Sequence, residues 1–527
     1  MEEVLKSMRS HAKQVFWNAL LLSCASLLIR TVGVTFQVYV SNRAGAEAMG
    51  LFSLMSGVYG FALTLATSGI HLGVTRLVVD SVGENKSERV CPAMRRASAY
   101  ALLFGLASSL LLVGCSDLIG NVWLKDARTV SSLRLLGITL PIISLSSAWG
   151  GYFTAVRRPY KNAIVQVLEQ AVKIFATMQL LSLMLPFGVE STCCALVLGG
   201  VTAEVLSFLC ELCLYLSDRK RNFKAVDKDS GKSEGRKLLS ITLPIALTTY
   251  IRSGLITLQH VLIPEGLRNS GSSHSAALIA YGSIHSMAMP IILYPAALIA
   301  SFSGLLVPEL AESSIQKSNR RIRYIVSRVW SLSLIFSIGV AGILICFSTE
   351  LGDALYPSTS AAKYIRMIAP LIPIMYVDTA TDAMMKGLGE QVYSMKINIA
   401  DALISVILVW LLIPKYGIAG YIFAIYFSEF FNTVCSITHL LSIAHPPIRL
   451  FKWIYKPLFS IVASTTLLRG IWSIPALQIP NTAISIILHC LTTLILYLSL
   501  LIVTGGLDRE DRRWIKGLFA RKSSTSA

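Results

Sequence analysis

Four basic and six acidic side chains interrupt long apolar stretches of this sequence: Arg30, Arg76, Lys173 and Arg252, and Glu169, Glu204, Asp378, Asp382, Asp401 and Glu429. An ionisable group at bilayer depth is costly unless it faces water or a partner, so each is a functional candidate by default. Arg30 and Arg252 suit an anion, because planar guanidinium forks grip phosphate oxygens in pairs and do so more strongly where the dielectric is low. Set on facing walls of one chamber, they would hold a pyrophosphate. Neutralised by nearby carboxylates, they would only lock helices together, and both readings stand. Arg76 and Lys173 either join the diphosphate site or snorkel to an interface. Asp378 and Asp382 lie four residues apart on one helix face, with Lys386 a turn further on. A proton or cation could bind there, or Asp382 and Lys386 could form an ordinary i, i+4 ion pair. Asn398 and Asp401 offer oxygens of the kind sodium accepts, though two ligands fall short of a site. Gln37, Gln259 and Glu169 are the expected polar lining of the cavity.

These residues must be positioned by membrane helices. The chain is 54% hydrophobic and 14% charged, with a mean hydropathy of +0.63, far from soluble usage. Apolar stretches of about 18 or more residues recur along its length, each enough to cross a ~30 Å hydrocarbon core as a helix. They lack the alternation of barrel strands. The expected fold is therefore an all-α polytopic membrane protein of about fourteen transmembrane helices. Spans are expected near 15–40, 51–78, 97–115, 135–155, 161–183, 192–216, 238–263, 276–304, 325–347, 367–385, 395–413, 417–442, 455–473 and 482–505. The net charge of +18 sits in short loops, which argues for topology rather than nucleic acid. With both termini cytoplasmic, most of the 47 Lys and Arg fall inside, notably Arg219, Lys220, Arg221, Lys224, Lys228, Lys232, Arg236 and Lys237, as the positive-inside rule requires.

An internal repeat organises the spans. Ile29, Arg30, Thr35 and Gln37 recur as Ile251, Arg252, Thr257 and Gln259 with identical spacing. Gln166 and Glu169 match Asn398 and Asp401, and Glu204 matches Glu429. An even number of helices per half relates the halves by an axis along the membrane normal. The expected plan is an N-lobe of six helices over 1–216, a basic cytoplasmic linker at 217–236, a C-lobe of six helices over 237–443, and two added helices with a basic cytoplasmic tail over 444–527.

Other chemistries find no footing. There is no phosphate-binding glycine loop and no nucleophile elbow. The cysteines beside apolar spans read as small core residues, and the histidines are scattered. Ala44, Gly45 and Ala46 imitate a signal cleavage site, but the preceding segment is too long and carries Arg30, so it reads as the first helix. Pro244, Pro290, Pro295, Pro370 and Pro373 interrupt spans and are candidate gates or simple packing features.

Four stretches carry a family resemblance: GYFTAVRRPYKNAIVQVLEQ from Gly151, ALTTYIRSGLITLQHVLIPEGLRNSG from Ala246, ALIAYGSIHSMAMPIILYPAALIASFSGLLVPELAE, and APLIPIMYVDTATDAMMKGLGEQVYSMKINIADAL from Ala369. They resemble the stage V sporulation protein B-like members of the lipid II and oligosaccharide flippases, within the multidrug, oligosaccharidyl-lipid and polysaccharide exporter superfamily. The resemblance implies two six-helix lobes plus two helices, alternating access, and a cationic cavity that engages pyrophosphate and sugar, with Arg30 in the place of a functional first-helix arginine. The chain departs from those flippases at Phe36, where they carry an arginine, and at Leu51, where they carry an acid; Gln259 is the polar group nearest their seventh-helix carboxylate. The implied work is moving an undecaprenyl-pyrophosphate-linked glycan, a peptidoglycan precursor for spore cortex or cell wall, across the cytoplasmic membrane. No enzyme activity and no cofactor are expected; sodium or a proton is the coupling ion, and the partners are the lipid-linked substrate, membrane lipid and cell-wall synthesis proteins. The rival readings are a multidrug or cation antiporter of the same superfamily and a non-transporting scaffold for polysaccharide synthesis.

Overall fold

The computed structural model describes residues 2–83, 90–222, 232–357, 360–472, 483–508 and 511. Residues 223–231 of the expected 217–236 linker and nearly all of the basic tail lie outside the described residues. Helices follow one another as α1 (Glu2–Thr67), α2 (Ile70–Gly83), α3 (Val90–Gly114), α4 (Ser116–Leu118), α5 (Val130–Ala155), α6 (Tyr160–Met184), α7 (Val189–Asn222), α8 (Lys232–Asn269), α9 (His274–Gly282) and α10 (Met289–Leu293). Then come α11 (Ala296–Ile315), α12 (Asn319–Cys346), α13 (Ser348–Leu355), α14 (Ala361–Ile368), α15 (Ile372–Leu388), α16 (Gln391–Tyr416), α17 (Ile418–Ala444), α18 (Lys456–Trp472) and α19 (Ala483–Val503). No strand occurs among the described residues, as a chain that must satisfy its backbone within lipid requires. The protein is an all-α, multi-pass membrane protein.

Eleven helical segments among the described residues are long and apolar enough to cross a bilayer. The structure corrects several expected boundaries. The turn at Gly45, where φ is 80°, falls between the first two expected spans, and a second turn at Gly69 falls inside the expected 51–78 span. Pro295 lacks an N–H to continue a helix, so the expected span 276–304 breaks at Tyr294 and Pro295 into a shorter helical run and α11. Pro373 stands in the first turn of α15, where the missing N–H costs nothing, whereas Pro290 lies within the continuous helical run His274–Leu293. The regions expected at 367–385 and 455–473 contain α15 and α18, each of 17 residues.

The described chain divides into two compact units. The first comprises residues 1–286 and 402–421. Within it α6 lies along α7, α3 along α5, and α1 against α8 and α9. Glycines allow the α1–α9 contact: a β-carbon on Gly50 would sit 2.1 Å from the Leu278 carbonyl oxygen, and one on Gly282 would sit 2.4 Å from that of Ala46. Backbones approach this closely in membranes because dispersion contact, not water exclusion, holds helices together. Along α8, Tyr250, Ser253 and Thr257 bond to Leu65, Thr64 and Gly57 of α1, one face at helical spacing.

Beyond the ends of these helices an ion-pair network ties the 124–129 turn to α1, α8 and α9. Asp126, 6% exposed, accepts from Arg128 and from His274 Nε2 at 2.9 Å. Arg128 reaches Glu47 at 3.1 Å, Ser275 donates to the other Glu47 oxygen at 2.7 Å, and Lys125 meets Glu265 at 2.5 Å. Burial pushes the Asp126 carboxyl up, but the hydrogen bonds from Arg128 and His274 and the Arg128 charge outweigh it and hold it below the usual carboxylate range.

The second unit comprises residues 287–401 and 422–527. There α11 and α12 pack on α15, and α18 packs on α12 and α19. Tyr497 of α19 is fully buried and donates to the Ile335 carbonyl at 2.6 Å, closing a small core with Ile338 and Ile461.

Candidate functional site

Every basic candidate falls in the first unit, and every candidate for ion coupling falls in the second. Arg30, Arg76, Lys173 and Arg252 are all exposed. Arg252 sits on α8 away from the Ser253 and Thr257 face that grips α1, and Gln259, seven residues on, shares its side and is half-buried. Gln37, seven residues after Arg30, donates to the Ser286 carbonyl at 2.9 Å, so this expected cavity group also ties α1 to the chain after α9.

Around Glu169 the first unit gathers a polar cluster. Glu169 and Lys173 are one turn apart on α6, and Glu169 interacts electrostatically with Lys173 and with Glu204 of α7. Glu211, a further two turns along α7, is within range of both carboxylates and bonds to Ser146. Tyr59 of α1 meets Thr139 of α5 at 3.1 Å and feels the same two acids. Tyr59 escapes sequence reasoning as a lone polar residue on an apolar stretch, whereas Glu211 could have been found, since it lies seven residues after Glu204 on the same face of α7.

The second unit splits the expected ion ligands into two groups. Asp382 accepts from Ser394 Oγ at 2.7 Å, and Asn398 donates to the Ser394 carbonyl at 2.8 Å. Lys386 is exposed and makes no ion pair with Asp382 among the described residues, so the i, i+4 pair is not formed. Asp378 and Asp401 are instead joined through α17. Ser428 donates to Asp401, Asn432 Nδ2 donates to Asp378 at 3.1 Å, and Glu429 between them interacts with both carboxylates. Asn432 is 7% exposed, and its amide oxygen has no hydrogen-bond partner among the described residues. A buried oxygen beside three carboxylates suits a bound proton or a cation with mixed oxygen ligands. No cluster of three or more His, Cys, Asp or Glu suited to holding a metal ion occurs among the described residues, so the carboxylates alone do not form a metal cage.

Two histidines that look scattered in sequence come together. His260 of α8 bonds to the buried Tyr281 hydroxyl at 2.6 Å, His285 bonds to the Tyr421 hydroxyl at 2.5 Å, and the two imidazoles are 4.9 Å apart. Nothing in the spacing of residues 260, 281, 285 and 421 announces this array. Cys213, expected in a core, is exposed, whereas Cys193 is buried.

The sequence family described as "Polysaccharide biosynthesis protein" matches residues 15–314, and the family described as MatE matches residues 270–411. Stage V sporulation protein B of Bacillus subtilis strain 168 is 25% identical over 79% of this chain and 81% of its own length. The lipid II flippase MurJ of the same organism is 20% identical over 73% of this chain and 75% of its own. Among solved structures, lipid II flippase MurJ in an inward closed conformation aligns with a TM-score of 0.71 at 16% identity, covering 93% of this chain and all of that one. An inward-facing multidrug resistance MATE family transporter of the MOP superfamily aligns at 0.62 and 13% identity, covering 79% and 97%. None of these names is that of an enzyme; the fold is that of polytopic transporters.

Proposed function

Because this chain belongs to the polysaccharide biosynthesis protein family, we propose that it is a flippase for a lipid-linked anionic glycan, working by alternating access in the cytoplasmic membrane with both termini inside. The observation that carries the reading is the set of four exposed cations on the apolar helices of the first unit, with a cluster of Asp378, Asp401 and Glu429 in the second. A cation on a membrane helix is tolerated where it meets water or an anion, and Arg30 and Arg252 supply forks for diphosphate oxygens. Arg76 and Lys173 add to the attraction, with Gln37, Gln259 and Glu169 as polar lining. The curated relatives named for sporulation and for lipid II favour an undecaprenyl-pyrophosphate-linked peptidoglycan precursor, for spore cortex or cell wall, as the cargo, with cell-wall synthesis proteins as partners.

Asp378, Asp401 and Glu429, with Asn432, would bind the coupling proton or sodium, and Asp382 with Asn398 would set the register of α15 against α16. Depletion of the protein should leave the lipid-linked precursor accumulating on the cytoplasmic leaflet; an unchanged distribution across the leaflets contradicts the reading. The MatE match over residues 270–411 favours a second reading, cation-driven export of small organic ions. Dye efflux from loaded vesicles separates the two, since an antiporter changes it and a flippase leaves it alone.

A further inference from the structure

The second unit holds a cavity of about 680 Å³ that the transport reading does not use, lined by Arg320 and Arg323 at the start of α12, Tyr324, and His445, Arg449 and Lys452 after α17. No carboxylate is among its described lining residues. Two cations at this end are already neutralised: Asp511, fully buried, pairs with Arg328 and Lys452, and Asp508 pairs with Lys452 as well. Arg320, Arg323 and Arg449 are exposed and form no ion pair among the described residues. The guanidinium groups of Arg320, Arg323 and Arg449 line one open chamber whose nearby acids, Asp508 and Asp511, are already paired, and forks so placed suit a phosphate.

Directly beside it lies a second cavity of about 410 Å³ whose lining is almost wholly apolar, including Leu334, Ile338, Val377, Ile437 and Leu441. The two share Trp453, which is 4% exposed. Both are threaded by α12, basic at Arg320 and Arg323 and apolar at Leu334 and Ile338. From Arg323 to Leu334 a helix rises roughly 16 Å, about half of a ~30 Å hydrocarbon core. Tyr324 and Trp453 stand at the change from charge to hydrocarbon, the level at which amphipathic rings settle in a bilayer. A soluble anion has no use for the apolar cleft, and a neutral lipid has none for the arginines.

We propose that the Arg320–Arg323–Arg449 cavity and the apolar cleft beside it form one binding site for an anionic glycerophospholipid, its headgroup phosphate among the arginines and its acyl chain along Leu334 and Ile338. The occupant is a resident lipid of the leaflet at the start of α12, and the site stands whether or not the protein is a flippase.

Native mass spectrometry of the full chain in detergent tests it, with phosphatidylglycerol and phosphatidylcholine of identical chains as probes. The wild type should retain phosphatidylglycerol over phosphatidylcholine by about tenfold, the scale expected when several near-surface basic residues each attract an anionic lipid. The triple variant Arg320→Gln, Arg323→Gln, Arg449→Gln should bring the two lipids to parity, while lysine at all three positions should keep most of the preference. Gln at Arg95, Arg219 and Lys415, exposed cations elsewhere, should leave it intact. Leu334→Trp, which fills the cleft, should weaken retention of both lipids. If the triple Gln variant does not elute as folded protein, Arg320→Gln and Arg449→Gln singly should each cost about threefold. Equal retention of both lipids by the wild type, an equal loss in the distant control, or competition by glycerol phosphate at the lipid's own concentration would overturn the proposal, the last by making the ligand a soluble phosphate.

Discussion

The two polar clusters within the membrane helices share matching parts and differ in the charges around them. In the first unit an amide and an acid on α6, Gln166 and Glu169, precede the α7 carboxylate Glu204; in the second, Asn398 and Asp401 on α16 precede Glu429 on α17. Glu169 interacts with Glu204, and Asp401 with Glu429. One turn beyond Glu169 stands Lys173, whereas one turn beyond Asp401 stands Ser405, which is 5% exposed. Glu204 has Lys173 as well as the acids Glu169 and Glu211 around it, while both charges acting on Glu429, from Asp378 and Asp401, are acidic. Like charges held near one another at low dielectric must be relieved by a proton or a cation. The first cluster thus has a lysine beside its acids and the acids around Glu429 have none; in the proposed flippase a bound proton or sodium ion would supply that counter-charge.

Exchanging the distinguishing residues should break the comparison most severely. Ser405→Lys would give α16 a permanent cation; a bias of roughly 2–3 kcal/mol in a two-state equilibrium should slow translocation about a hundredfold. Proteoliposome transport reads this, and full activity would show that Asp401 and Glu429 recruit no ion. A smaller effect is expected at the first unit's rim. Asp126→Asn removes the shared acceptor of Arg128 and His274 and should cost about 2 kcal/mol, less than a fully buried pair because Arg128 is partly exposed, measured as a lowered melting temperature. The same carboxyl sets a pH dependence. Its folded-state pKa is depressed, so its contribution is present above the unfolded value of about 3.9 and is lost as pH falls through the lower folded value; the wild type should lose stability over that acid window and Asp126→Asn should not. The smallest effect sharpens the comparison. Glu429→Gln relieves one of three like charges and should raise stability by about 1 kcal/mol while abolishing any dependence of melting temperature on sodium or proton concentration. Glu204→Gln, with Lys173 nearby, should stay within about 0.5 kcal/mol of the wild type; equal shifts in the two variants would erase the distinction.

Hydropathy made the helices legible, because a bilayer imposes one length and one polarity on every crossing. The pairing of Glu169 with Glu204 and of Asp401 with Glu429 was legible too, since the repeat carries it in residue order. What stayed hidden depended on rotation and on breaks. The turn at Gly69 and the stop at Pro295 divide apolar stretches that look continuous, and Ser394, rather than Lys386, takes Asp382 because of the direction in which α15 presents that side chain. Ser428, Asn432 and Tyr59 enter the clusters from facing helices, a relation that no spacing along one strand of sequence encodes.

The proposed flippase reading places the anionic cargo at Arg30 and Arg252 of the first unit, and transport of a fluorescent undecaprenyl-pyrophosphate-linked glycan into proteoliposomes tests that most directly. Arg30→Ala and Arg252→Ala should each reduce the initial rate by about tenfold or more, and the lysine variants should also fall, because a point charge does not replace a bidentate fork. Wild-type rates in both alanine variants, with insertion and folding unchanged, would contradict the account.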